Sequence, residues 1–73
     1  MKTYRKIATV QAKIFEQGDE DGFDELLSKI PYVETLENQR HFGKFNQNYL
    51  CVGIDGERWL VEKSIFERTY EQV

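Results

Sequence analysis

The sequence predicts an α+β fold: a strand, an α-helix, a four-strand antiparallel meander forming a twisted sheet or small partial barrel, and a short C-terminal helix. Three observations predict it. Ala8, Val10, Ala12 and Ile14 alternate with Thr9, Gln11 and Lys13, the period of a half-buried strand. Phe23, Leu26, Leu27 and Ile30 then recur at i, i+3, i+4 and i+7, one apolar stripe of a helix. Beyond Pro31, short β-rich runs alternate with polar turn-forming clusters.

Each element has a local cause. Gln17-Gly18-Asp19 breaks the first strand, and Asp19 or Asp21 is placed to cap the helix that follows. The acidic residues there oppose the helix dipole favourably, and Pro31 ends the helix by forcing residue 30 out of helical geometry. Tyr32-Val33-Glu34-Thr35-Leu36 reads as a strand, with Glu37-Asn38-Gln39 as the turn and Asn38 suited to the left-handed region. Residues 40–45 alternate again, and Asn46-Gln47-Asn48 turns once more. Asp55-Gly56 between two apolar runs predicts a type I′ hairpin. Ser64 and Glu67 have capping-box spacing ahead of the last helix, with Ile65, Phe66 and Tyr70 facing the sheet. The expected core is Val10, Phe23, Leu26, Leu27, Val52 and Leu60.

Seventy-three residues make one domain, 1–73, close to the lower size at which a core suffices without disulfides or metal. The lone Cys51 cannot form an internal disulfide and is expected as a small buried hydrophobe, in keeping with a reducing, cytoplasmic setting. No apolar run approaches the roughly eighteen residues of a membrane span, and no signal-peptide pattern opens the chain. A membrane partner is therefore not expected.

Residues 49–71 carry a family resemblance. Tyr49, Gly53, Gly56, Glu57 and the run Ile65-Phe66-Glu67-Arg68-Thr69-Tyr70-Glu71 follow in order a C-terminal signature. That signature reads Pro-Gly-Asp-Tyr-Ile-Ile-x-Gly-x-x-Gly-Glu-x-Tyr-Pro, then Ile-Phe-Glu-x-Thr-Tyr-Glu. It resembles that of a family of small phage and prophage proteins of unknown function. Tyr4-Arg5-Lys6 and Val10-Gln11-Ala12 resemble the family's opening strand, while the middle of the chain does not align. The chain departs from the pattern at Asn46-Gln47-Asn48, at Trp59, and at Val61 and Lys63. The resemblance implies a phage origin and a fold, and brings no activity with it.

Residue chemistry points away from catalysis. His41 is the sole histidine, so one chain cannot build a two-imidazole metal site. Cys51, between Leu50 and Val52 in mid-strand, is a packing residue before it is a nucleophile. Residues 19–25 approach a calcium loop but fail it, because Gly22 falls fourth rather than sixth and position twelve is Ile30. No catalytic residue, metal ligand or cofactor is assigned.

Charge is the remaining signal. Residues 1–15 hold Lys2, Arg5, Lys6 and Lys13 with no acid, whereas residues 16–37 hold eight acids against Lys29. Such asymmetry bears on partners and steering. The reading adopted is a non-enzymatic phage-derived accessory protein, cytoplasmic in the host cell. It binds and modulates or inhibits a host protein, such as a defence or nucleic-acid-handling factor, through Glu16, Asp19, Glu20, Asp21, Asp24 and Glu25. Two alternatives stand beside it. One is a homo-oligomeric structural component, including a homodimer through a sheet edge. The other is a weak single-stranded nucleic-acid binder using Lys2, Arg5, Lys6, Lys13, Arg40, Lys44 and Arg58 interleaved with Tyr4, Phe42, Phe45, Tyr49 and Trp59, which the pI of about 5.1 opposes.

Overall fold

A computed structural model of the chain describes residues 1–4, 9–26 and 29–71. The fold is α+β: six short strands and one short helix among the described residues. The strands are β1 (Gln11–Ile14), β2 (Gly22–Phe23), β3 (Pro31–Glu34), β4 (Arg40–Phe42), β5 (Asn48–Val52) and β6 (Arg58–Glu62), followed by α1 (Lys63–Thr69). They form two antiparallel sheets, ordered β1-β5-β6 and β2-β3-β4.

The expected meander divides. Its two hairpins form: β3 pairs with β4 through Val33 and His41, and β5 pairs with β6 through Leu50 and Leu60. β4 and β5, however, lie in different sheets. A strand has only two edges, and β5 gives its second edge to β1, with Gln11 opposite Val52 and Ile14 opposite Tyr49. The crossing is made by residues 43–47. There Gln47 N–H donates to the Lys44 carbonyl at 3.2 Å and Lys44 N–H to Asn48 Oδ1 at 2.9 Å. Asn46 sits at φ +64°, in the left-handed region that asparagine tolerates.

The predicted helix between Asp19 and Ile30 is a second correction. No described residue there is helical: Gly22–Phe23 form β2, paired to Tyr32 and Pro31, and Glu25, Leu26 and Lys29 lie in turns. Asp24 N–H donates to the Ile30 carbonyl at 2.9 Å, and Leu26 N–H to the Asp24 carboxylate at 2.9 Å. The helical stripe lost to three local effects. The window between Gly22 and Pro31 is short for an isolated helix. Acid side chains there satisfy backbone N–H groups outside a helix. The Tyr32 ring also lies directly over Gly22, where any Cβ would strike it, so this strand pair needs glycine.

The core follows from that topology. Phe15 at the end of β1, Leu50 of β5 and Leu60 of β6 form it with Val33 of the other sheet, and Phe45 packs on Phe15 at a ring distance of 5.1 Å. Tyr32 and Cys51 are also buried, Cys51 as expected. Leu60 was expected in the core and is there, whereas Val10 and Val52 are only half-buried. Phe23 and Leu26 are corrected outward, at 43% and 91% exposure. Leu27, Ala8, Arg5 and Lys6 lie outside the described residues.

The C-terminal segment docks by rings. Tyr49 on β5 stacks on Phe66 at 4.1 Å, and Phe66 on Tyr70 at 4.5 Å. Ile65 is 40% exposed and adds less than expected. Ser64 does not cap the helix, which already includes Lys63 and starts after Glu62 with no side-chain cap. The Gln47 carbonyl accepts the Lys63 N–H at 3.0 Å instead, so a tertiary bond takes the place of the capping box.

Candidate interaction surface

Each acid of residues 16–25 has a definite place. After β1 the chain turns at Glu16, where Asp19 N–H donates to the Glu16 carbonyl and Glu16 N–H donates to the Asp19 carboxylate, both at 2.9 Å. Lys13 Nζ pairs with Asp19 at 2.9 Å and with Glu16 at 3.8 Å. The Glu16 N–H, and then Lys13, hold the Asp19 carboxyl below its ordinary pKa; the same contact to Asp19 raises Lys13. Glu20 accepts the Gly18 N–H at 2.8 Å. Asp21 accepts the Glu34 N–H at 2.7 Å and pairs with the Arg58 guanidinium of β6. Asp24 closes the turn at Leu26. Four of the six carboxylates therefore serve the chain's own backbone, while Glu16 and Glu25 project to solvent. The acids that sequence reasoning assigned to a partner are, in large part, the acids that shape the 16–25 connection.

A second surface was not foreseen. The two hairpins end in turns of the same construction. In residues 35–39, Thr35 N–H donates to the Gln39 carbonyl at 2.8 Å and Asn38 N–H to the Thr35 carbonyl at 3.1 Å. In residues 53–57, Gly53 N–H donates to the Glu57 carbonyl at 2.9 Å and Gly56 N–H to the Gly53 carbonyl at 3.1 Å. The fourth residue of each is left-handed, Asn38 at φ +59° and Gly56 at φ +83°. This corrects the type I′ expectation. Asp55 is not at positive φ, so the reversal runs through residues 53–56 and only Gly56 takes the left-handed position. Asn38 occupies that region as expected.

The two turns stand side by side and enclose a cleft of about 400 Å³, lined by Leu36, Glu37, Asp55, Glu57, Arg58 and Trp59 among others. The second residue of each turn is aliphatic and exposed, Leu36 at 64% and Ile54 at 78%. Glu57 turns inward to accept the Asp55 N–H at 3.1 Å. Arg58 is held by Asp21, which joins the cleft to the acidic connection. The signal was present in the sequence: Leu36-Glu37-Asn38 and Ile54-Asp55-Gly56 both read aliphatic, acid, left-handed former.

The aromatic and basic residues considered for nucleic acid are largely in use. Phe45 packs on Phe15 and Phe23, Phe42 meets Tyr32 edge-on, and Tyr49 lies in the ring stack beneath Phe66. Burial, and then Glu67 at 3.4 Å, raise the Tyr49 phenol above its ordinary pKa. Arg40 lies 4.6 Å over the Tyr32 ring. Among the described residues no group of three His, Cys, Asp or Glu is arranged to hold a metal ion. No described helix is long and apolar enough to cross a membrane. Comparison with protein-family models, curated proteins and solved structures finds no match for this chain.

Proposed function

We propose that this chain is a non-enzymatic accessory protein of phage origin that binds and modulates a host protein through an acidic surface. The phage origin rests on the residues 49–71 resemblance. The observation that supports the acidic surface is the fixing of charge. Backbone N–H groups hold Asp19, Glu20, Asp21 and Asp24 in set positions without removing their charge, so the field of residues 16–25 is preorganised. Two of the six charges are offset by Lys13 and Arg58. Glu16, Glu20, Asp24 and Glu25 remain as the outward part, and these would meet a basic face.

The test is capture of a stoichiometric partner from host lysate, followed by association kinetics at two ionic strengths. An on-rate that falls with salt supports the reading. A salt-independent on-rate for the captured partner removes the acidic surface from it.

A further inference from the structure

We infer that the cleft between the two matching hairpin turns is a docking point for a protein segment carrying a basic side chain next to an aliphatic one. The inference rests on the protein-binding reading above and moves the specific contact away from residues 16–25.

Charge complementarity argues the occupant. Glu37, Asp55 and Glu57 place three carboxylates on the cleft, and its cation, Arg58, is already paired with Asp21. Among the described residues, the Glu37 and Asp55 side chains meet no hydrogen-bond or ion-pair partner, whereas Glu57 accepts the Asp55 N–H. A guanidinium or ammonium entering between the turns would meet two uncommitted acids from opposite sides. An acidic or phosphate-bearing ligand would meet repulsion from both.

The apolar half of the recognition is equally placed. Leu36 lines the cleft, and Ile54, at the same position of the other turn, is an exposed aliphatic group next in sequence to the lining residue Asp55. Aliphatic groups at turn tips have no part in this core, which Phe15, Val33, Leu50 and Leu60 complete without them. Exposed aliphatic groups on turns that also carry the acids of the cleft match a partner strand or loop in which Arg or Lys stands beside Leu, Ile or Val. The turns themselves are rigid platforms, each closed by two backbone bonds and a left-handed residue.

The experiment is a titration of the labelled protein with three synthetic peptides, one alternating Arg with Leu, one with Glu for Arg, and one with Ala for Leu. Backbone amide shifts and Trp59 fluorescence are followed. The Arg–Leu peptide is expected to give saturable shifts confined to residues 35–39, 53–57 and Trp59, and each control peptide to bind about ten-fold more weakly. Glu37→Lys with Asp55→Lys is expected to weaken the Arg–Leu peptide by about ten-fold, and Leu36→Ser with Ile54→Ser by several-fold, with the rest of the spectrum unchanged. No saturable shift, or equal binding of the Ala-for-Leu peptide, overturns the inference. Shifts at Glu16, Glu20 and Glu25 in place of the turns overturn it while leaving the acidic-surface reading standing. A concentration-dependent dimer that perturbs both turns without peptide also overturns it, by making a second copy the occupant.

Discussion

The Nδ1 atom of His41 accepts the backbone N–H of Leu60 at 3.2 Å, tying β4 of one sheet to the edge strand β6 of the other. β6 has one paired edge, toward β5; its other edge presents N–H groups that need acceptors. The sole histidine supplies one, half-buried, immediately beside the Leu60 side chain in the core. The residue considered first for catalysis thus has a structural task.

Replacing His41 with Ala is expected to cost about 1–3 kcal/mol, because it strands a part-buried N–H. His41→Asn should recover much of that loss, since Asn can place an acceptor at nearly the same point. Urea unfolding of the three proteins measures it. Equal loss in Ala and Asn would assign the role to the ring's packing rather than to the bond.

Acid should loosen the connection after β1. The Asp19 carboxyl is held below its ordinary pKa by the Glu16 N–H and then by Lys13. A depressed carboxyl contributes stability that is complete above the unfolded-state value and is lost as pH falls through the lower folded-state value. The parent should therefore lose stability in the acidic limb, and Asp19→Asn should be less stable than the parent near neutrality with a flatter acidic limb. Thermal melts from neutral pH downward check it, and identical acid limbs would show that Asp19 carries no such linkage.

The ring stack makes the terminal helix part of the fold. Phe66 lies between Tyr49 and Tyr70, so Phe66→Ala removes both ring contacts at once. Because Phe66 is half-buried, the expected cost is about 1.5–3 kcal/mol, below that of a fully buried ring. Near-ultraviolet circular dichroism should lose intensity with it. An unchanged melting temperature would make residues 63–71 a tail and leave their signature without a structural reason.

How much of this was legible depends on whether a signal was local. The paired runs around residues 53–57, the turn at Asn38, the burial of Cys51 and the terminal helix all follow from neighbours in sequence, and all are present. The pairing of β1 with β5 is a competition for one strand edge, which alternation along either strand cannot decide. Phe15 shows the same limit. It lies one residue beyond β1, yet it is wholly buried because Asn48 and Asn46 from the distant crossing bind its backbone. The helical stripe at Phe23, Leu26 and Ile30 was real as a pattern, but Phe23 lies in β2 and the Asp24 carboxylate takes the Leu26 N–H in a turn. The acidic residues were read for charge; their larger role as hydrogen-bond acceptors requires knowing which backbone N–H groups come near.

Gly56 offers a clean separation of strain from sterics. A Cβ there would meet nothing within 4 Å, so any penalty comes from φ +83° alone. Gly56→Val is expected to cost about 1–2 kcal/mol, and Gly56→Asn clearly less, since Asn tolerates the left-handed region as it does at position 38. Denaturant midpoints for the two variants measure the difference. Equal midpoints would mean that the turn rearranges around the substitution.

The geometry also decides which charge reversals can test binding. Asp21 and Asp24 hold backbone N–H groups at Glu34 and Leu26, so reversing them would disturb the fold together with the field. Glu16 and Glu25 are exposed, and Glu16 gives up only a 3.8 Å pair with Lys13. Glu16→Lys with Glu25→Lys should therefore leave stability within about 0.5 kcal/mol of the parent while shifting the local charge by four units. If residues 16–25 steer a basic partner, the on-rate at low salt should fall by about ten-fold or more, with little change in the off-rate, and parent and variant should converge as salt rises. Stopped-flow mixing with the captured partner reads both rates. An unchanged on-rate at low salt would leave the matching turns, with Leu36, Ile54, Glu37 and Asp55, as the surface on which recognition rests.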